Sequence, residues 1–164
     1  TKYEYIPADS LLKPLGPYAT SKAMFYQICM QLCKEKKIKI IYTRLFSVYG
    51  EGQNKNNLWP SLKHAALNNL NFQMTKGEQI RDFISVDNVC VNFLKLIEKF
   101  STINYRNQIT INIGSGISKS VAEFSRYWWN KFGSKGQLLI GSKPYRKNEI
   151  MRYVPKIDND LINL

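Results

Sequence analysis

Apolar residues recur at helical spacing through "YATSKAMFYQICMQLCKEK", which predicts a helix over 18–36. The stretch before it, "TKYEYIPADSLLKPLGP", holds three prolines and reads as an irregular loop. The run "IKIIYTRL" (38–45) is rich in β-formers and has the character of a buried strand. "FSVYGEGQNKNN" (46–57) reads as a glycine-containing loop, and "LWPSLKHAALNNL" (58–70) as a helix with Pro60 in its first turn. "NFQMTKGEQIRDFISV" (71–86) predicts two short strands around a "KGEQ" turn. "SVDNVCVNFLKLIEKF" (85–100) is an amphipathic helix, with Ser85 or Asp87 available as its cap. "QITINIGSG" (108–116) is a strand running into a glycine turn. "SKSVAEFSRYWWNKF" (118–132) is a further amphipathic helix, capped by Ser118 or Ser120. "GQLLIGS" (136–142) predicts a last strand, and the tail from 143 is expected to close with a short helix.

Helices and strands alternate, so the class is α/β. The two buried strands, 38–45 and 108–113, are each followed by a loop, as at the edge of a parallel sheet. Two such strands are too few for an independent sheet of that kind. No repeat or low-complexity linker divides the chain.

Composition narrows the class. The 164 residues are 44% hydrophobic and 22% charged, a globular balance. No apolar run approaches the ~20 residues of a membrane span. The first residues lack both a signal-peptide core and an initiator methionine, so the chain is expected to begin inside a longer one. The formal charge of +12 is spread along the sequence, apart from "KEKKIK" at the end of the first helix. That is where cations meet the negative end of the helix dipole. Nucleic acid is therefore not the expected partner, whereas an anionic small substrate suits the charge. Cys29, Cys33 and Cys90 match no zinc or redox spacing and read as small buried residues in a reducing, cytoplasmic compartment; no metal site is expected. His64, the single histidine, is placed on a helix surface. Arg44 reads as a structural ion-pair partner, and "YWW" (127–129), at helical spacing from Phe124, as packing.

Tyr18 and Lys22 stand four apart in "GPYATSKAMFYQ", on one face of the first helix. A free tyrosine, with a pKa near ~10, is a poor acid–base group at neutral pH. A cation ~4–6 Å away favours the phenolate and fits the phenol to exchange a proton with a hydroxyl or carbonyl. The small Ala19, Thr20 and Ser21 leave room for a flat substrate to approach.

In order, the chain then carries "IIYTRLFSVYGEGQ", "IRDFISVDNV" and "INIGSG". With "GPYATSKAMFYQ" these resemble the extended short-chain dehydrogenase/reductase family, and within it the nucleotide-sugar epimerases, dehydratases and reductases. That family's patterns are P-Y-x-x-S-K, R-x-F-N-V-Y-G-P-G-Q, R-D-F-I-x-V-x-D and N-I-G-x-G. The resemblance implies that Tyr18 is the catalytic acid/base and that Lys22 tunes it while binding the nicotinamide ribose. It places Leu45 and Phe46 near the nicotinamide. Ser47 falls where the family usually has an asparagine that contacts the sugar nucleotide, and Glu51 where it has proline. Arg81 would meet a substrate phosphate, a role that suits a guanidinium fork, and Arg146 would reach the same diphosphate. Asp87 would cap a helix, and Asn112 would organise the turn after its strand.

The implied fold is the C-terminal part of an extended Rossmann fold over 1–164: the edge of the parallel sheet plus a smaller substrate-binding α/β region. The family's glycine-rich cofactor loop is not in the sequence, since neither "GEGQ" nor "GSGIS" sits in a strand–glycine–helix unit. NAD or NADP is implied as cofactor, with an N-terminal half to complete its site. The implied activity is oxidoreduction at C4 of a nucleotide-activated sugar for surface polysaccharide. The tail "KPYRKNEIMRYVPKI" looks like that of abequose-type synthases, which leans the reading towards reduction of a 4-keto-deoxysugar. A homodimer through the Tyr18 helix is implied for the complete enzyme. The alternative is a non-catalytic remnant or one half of a split enzyme, inactive alone.

Overall fold

The computed structural model describes residues 4–100 and 108–157. The expected closing helix of the tail lies outside them. Helix α1, Gly16–Lys36, opens on Pro17 and ends where Lys37 turns left-handed at φ 52, behind the basic Lys34 and Lys36. Strand β1, Ile40–Leu45, is followed closely by β2, Ser47–Tyr49. After helix α2, Leu58–Leu67, come β3, Phe72–Met74, and β4, Ile80–Ser85, which runs straight into α3, Val86–Lys99. Strand β5, Gln108–Ile113, and the short β6, Ser118–Ser120, precede α4, Val121–Lys131. Two short strands finish the order, β7, Leu138–Ile140, and β8, Arg152–Tyr153.

Strands β1 and β5 pair in parallel from Ile40 opposite Gln108 to Leu45 opposite Ile113, as expected of a parallel-sheet edge. Strand β4 is the hub of a second sheet: β2 and β8 lie parallel to it and β6 antiparallel. Strands β3 and β7 form a separate parallel pair. One apolar cluster joins Ile84, Val89, Leu96, Ile111 and Ile113 between these sheets and α3. A second joins Leu62, Ala65 and Ala66 of α2 to Trp129 of α4. Fully burying a Leu, Ile or Val of these clusters contributes roughly 1.5–3 kcal/mol.

Several expectations change. Residues 47–49 form β2 rather than loop, because β4 offers them a parallel edge. Strands β3 and β4 are present but do not pair with each other. The turn between them serves α4 instead: Gly77 O accepts from Ala122 N and Gln79 O from Val121 N. Gly77 has φ 71, and a Cβ there would lie 2.7 Å from Ala122 N, so glycine is required. Ser85 caps α3 by accepting from Asn88 N, and Asp87 sits in the first turn without being the cap. Ser120 caps α4 in a reciprocal box with Glu123. Asn112 does not organise the turn after β5. Its Nδ2 donates to Ile6 O at 2.7 Å and to Lys156 O at 3.0 Å, tying the first described segment to the tail. The turn belongs to buried Asp82, whose two oxygens accept from Ser115 N at 2.6 Å and Gly116 N at 2.8 Å. Arg44 meets the Ser10 carbonyl and the face of Tyr26 rather than a carboxylate among the described residues. Cys33 is buried and Cys29 partly so, but Cys90 is exposed on α3, against expectation. His64 is exposed on α2 as expected. No helix of the described residues is long and apolar enough to cross a membrane.

Candidate active site

Helix α1 presents the Tyr–Lys pair. The Lys22 ammonium lies 5.5 Å from the centre of the Tyr18 ring, and Tyr18 is 76% exposed. The intervening hydroxyls bond the helix backbone: Thr20 donates to Gly16 O and Ser21 to Tyr18 O. The phenol and the ammonium make no such bond to the helix backbone and are both exposed. Leu45 and Phe46 lie at the C-terminal end of β1. Leu45 is exposed, and Phe46 stacks on Tyr153 of β8 at 4.7 Å.

A cavity of about 550 Å³ opens between β2, β3, β4, α2 and α4. Its size is that of a small-molecule site. It brings together Ser47, Arg81 and Arg146, the three residues expected to bind substrate. Tyr18, Lys22, Leu45 and Phe46 are not among its lining residues. Arg81 comes from β4, where the pleat turns it into the cavity. Its side chain is 15% exposed; one terminal nitrogen donates to Ile80 O at 2.9 Å and the other to Ile150 O and to Glu149 Oε1 at 3.4 Å. Burial draws the Arg81 pKa below the ordinary guanidinium value, while Glu149 and then Tyr153 act against this. Arg146 is exposed, on the strap between β7 and β8.

Part of the lining is aromatic, beginning with Phe83, two residues from Arg81 on the same face of β4. Phe83 stacks on Phe124 at 3.8 Å, and Tyr49 meets Phe124 edge-on at 5.0 Å. Burial, then Tyr127 and Asp87, raise the Tyr49 pKa, so its hydroxyl stays neutral and can donate. The cavity lining thus combines cationic and aromatic side chains, a chemistry suited to a phosphate linked to a ring. Sequence reasoning missed Tyr49, Phe83, Lys143 and Glu149 as lining residues. It assigned Phe124 to packing alone, although its helical spacing from "YWW" marked the face of α4 that reaches the cavity.

Residues 2–114 match the NAD dependent epimerase/dehydratase family. The chain belongs to that family. It is 30% identical over 140 residues to the CDP-abequose synthase of Salmonella typhimurium, covering 84% of this chain and 46% of the relative. It is 34% identical over 110 residues to the GDP-6-deoxy-D-talose 4-dehydrogenase of Aggregatibacter actinomycetemcomitans, covering 66% and 35%. Among solved structures, MoeE5 in complex with UDP-glucuronic acid and NAD superposes with a TM-score of 0.78 at 22% identity, over 97% of this chain and 53% of that one. The UDP-glucose 4-epimerase of Thermotoga maritima, with UDP-glucose, gives 0.78 at 21%, over 92% and 48%. The fold is that of these Rossmann-like enzymes, and the chain spans about half the length of the relatives it matches.

Proposed function

We propose that this chain carries the substrate pocket and the proton-transfer pair of an NAD(P)-dependent enzyme that oxidises or reduces C4 of a nucleotide-activated sugar. The observation that carries this reading is the meeting of Ser47, Arg81 and Arg146 in one cavity with an aromatic wall. In this reading Arg81 and Arg146 hold the diphosphate, and Ser47 offers a hydroxyl to the ligand. Tyr18 gives a proton to the C4 oxygen during reduction, or takes one from it during oxidation. Lys22 sets a positive charge beside the ring where a phenolate would form. The nicotinamide, when bound, supplies or accepts the hydride. In this reading Tyr18 and Lys22, both exposed on α1, would meet the nicotinamide ribose, and Leu45 and Phe46, at the end of β1, would meet the nicotinamide. No glycine-rich unit among the 164 residues offers a pyrophosphate site, so cofactor binding needs an N-terminal half. Similarity to a CDP-abequose synthase and to a 6-deoxytalose 4-dehydrogenase favours a deoxysugar nucleotide for surface polysaccharide over an epimerase substrate. A second reading, a half that acts only with a partner, draws on the exposed Met24, Phe25 and Ile28 of α1. A homodimer of the complete enzyme through α1 would cover the same residues.

The test is saturation-transfer NMR and thermal shift of this chain with CDP, UDP-glucose and NADPH, alone and with a relative's N-terminal half. Nucleotide binding without the half, lost in Arg81→Ala, supports the pocket. NADPH binding only with the half supports the division of the cofactor site. No nucleotide binding in either setting sinks the reading.

A further inference from the structure

Arg146 is exposed, and among the described residues no hydrogen bond or ion pair holds its side chain. Where its guanidinium stands is therefore set by the backbone that carries it. That backbone is the strap 141–151, which has no helix or strand of its own. Its two ends are tied through the main chain: Gly141 N and Lys143 N donate to Met74 O, and Ile80 N donates to Met151 O at 2.7 Å. On the C-terminal side of Arg146 a turn closes, with Glu149 N donating to Arg146 O and Glu149 standing beside Arg81. On the N-terminal side the nearest tie is one side chain. Tyr145 Oη donates to Glu78 Oε2 at 2.9 Å and accepts from Glu78 N at 3.2 Å. Glu78 lies between Gly77 and Gln79, whose carbonyls accept from the first residues of α4, so the hydroxyl reaches a fixed base. Neither Glu78 nor Tyr145 lines the cavity, whereas Lys143, Pro144 and Arg146 beside Tyr145 do.

We propose that Tyr145 and Glu78 are positioning residues, whose mutual hydrogen bonds hold the strap so that Arg146 faces an anion in the cavity. The inference rests on the reading of that cavity as the site of a phosphate-bearing ligand. A strap free to move would have to be ordered each time a ligand engaged Arg146, and that ordering weakens binding. The Tyr145–Glu78 pair orders it beforehand without touching the ligand. Both residues are partly or fully exposed, so the benefit is bounded by the net contribution of about one hydrogen bond, a factor of about five in affinity. The pair bridges 67 positions of sequence, which is why no local motif announces it.

The experiment titrates the chain with UDP-glucose by NMR, as wild type and with Tyr145→Phe, Glu78→Ala or Glu78→Gln, each alone and combined with Arg146→Ala. Tyr145→Phe and Glu78→Ala are expected to weaken binding about fivefold when Arg146 is present and to have no effect when it is absent, the pattern of groups that act through one another. Glu78→Gln, whose amide oxygen still accepts from the phenol, is expected to keep the wild-type affinity. Equal weakening in both backgrounds, or none in either, overturns this inference and leaves the pocket reading standing. Full affinity in Arg146→Ala alone removes Arg146 from the pocket and overturns this inference with it. Absence of UDP-glucose binding to the wild type overturns both readings. A measurement on the unaltered protein covers variants that do not fold. Coupling between two sites is reciprocal, so UDP-glucose is expected to slow exchange of the Glu78 amide proton, which is donated to Tyr145 and lies outside the cavity. An unchanged exchange rate at saturating UDP-glucose overturns the proposal.

Discussion

Asp82 shows how much of the fold depends on single buried groups. It is fully buried, and each of its oxygens takes one backbone N–H of the turn after β5. A Cβ on Gly114 would lie 2.7 Å from both Asp82 Oδ2 and Pro155 Cγ. Asp82→Asn is expected to cost about 1–3 kcal/mol, because an NH₂ then faces a backbone donor. Gly114→Ala should cost a similar ~1–3 kcal/mol through overpacking. Urea unfolding curves of the two variants check both values; wild-type midpoints would remove Asp82 from this role. At the same scale, Tyr18→Phe in the chain joined by an N-terminal half is expected to lower turnover by at least ~100-fold. Its nucleotide affinity should be unchanged, since Tyr18 does not line the cavity. Tyr18, Lys22, Arg81 and Arg146 could be named as candidates from the sequence because they sit in short motifs. Asp82 and Glu149 were not, because their partners lie far along the chain and only the fold brings them near.

The elements divide in the same way. The long helices carry their own evidence in apolar spacing, and α3 and α4 also carry their serine caps. In α4, Ser120 accepts from Glu123 N while its own N–H and hydroxyl bond Glu123 Oε2. Ser120→Ala is expected to destabilise the helix by about 1 kcal/mol. The backbone and then the side-chain bond from Ser120 hold the Glu123 carboxyl below the usual range. Its folded pKa is lower than its unfolded one, so its contribution is present above the ordinary glutamate pKa. It is lost as pH falls through the depressed value. Amide exchange in α4 should accelerate over that acidic window in the wild type and change less in Glu123→Gln. Strands β2, β6 and β8 had no such signature. Two or three residues cannot display an alternation, and each exists because β4 supplies hydrogen bonds along its edges.

For the whole molecule, the α/β class and the parallel edge followed from the order of elements, while the hub role of β4 needed the tertiary pairing. Strand β1 has β5 as its only strand partner among the described residues. Met24, Phe25, Ile28 and Leu32 of α1 are exposed beside it. An open strand and an apolar helix face are a template for association. The chain alone is expected to self-associate with rising concentration in sedimentation experiments. Adding an N-terminal half, or substituting Met24→Glu with Phe25→Glu, should reduce that association. A monomer at all concentrations would count against a missing covering surface.

The Asn112 clamp also bears on the order in which this protein assembles. It joins Ile6 to Lys156, and Ile6 bridges Pro155, so the contact closes nearly the whole described chain into one loop. Contacts of such separation lag behind local helices during folding. Arg152 is held in the same place, its Nε donating to Glu4 O at 2.8 Å, and it adjoins the strap that carries Glu149 and Arg146. The cationic wall of the pocket should therefore be the last part to form and the first to open. In a refolding experiment, nucleotide-binding competence would then appear after the helical signal has recovered, and removal of residues 1–7 would delay or abolish it.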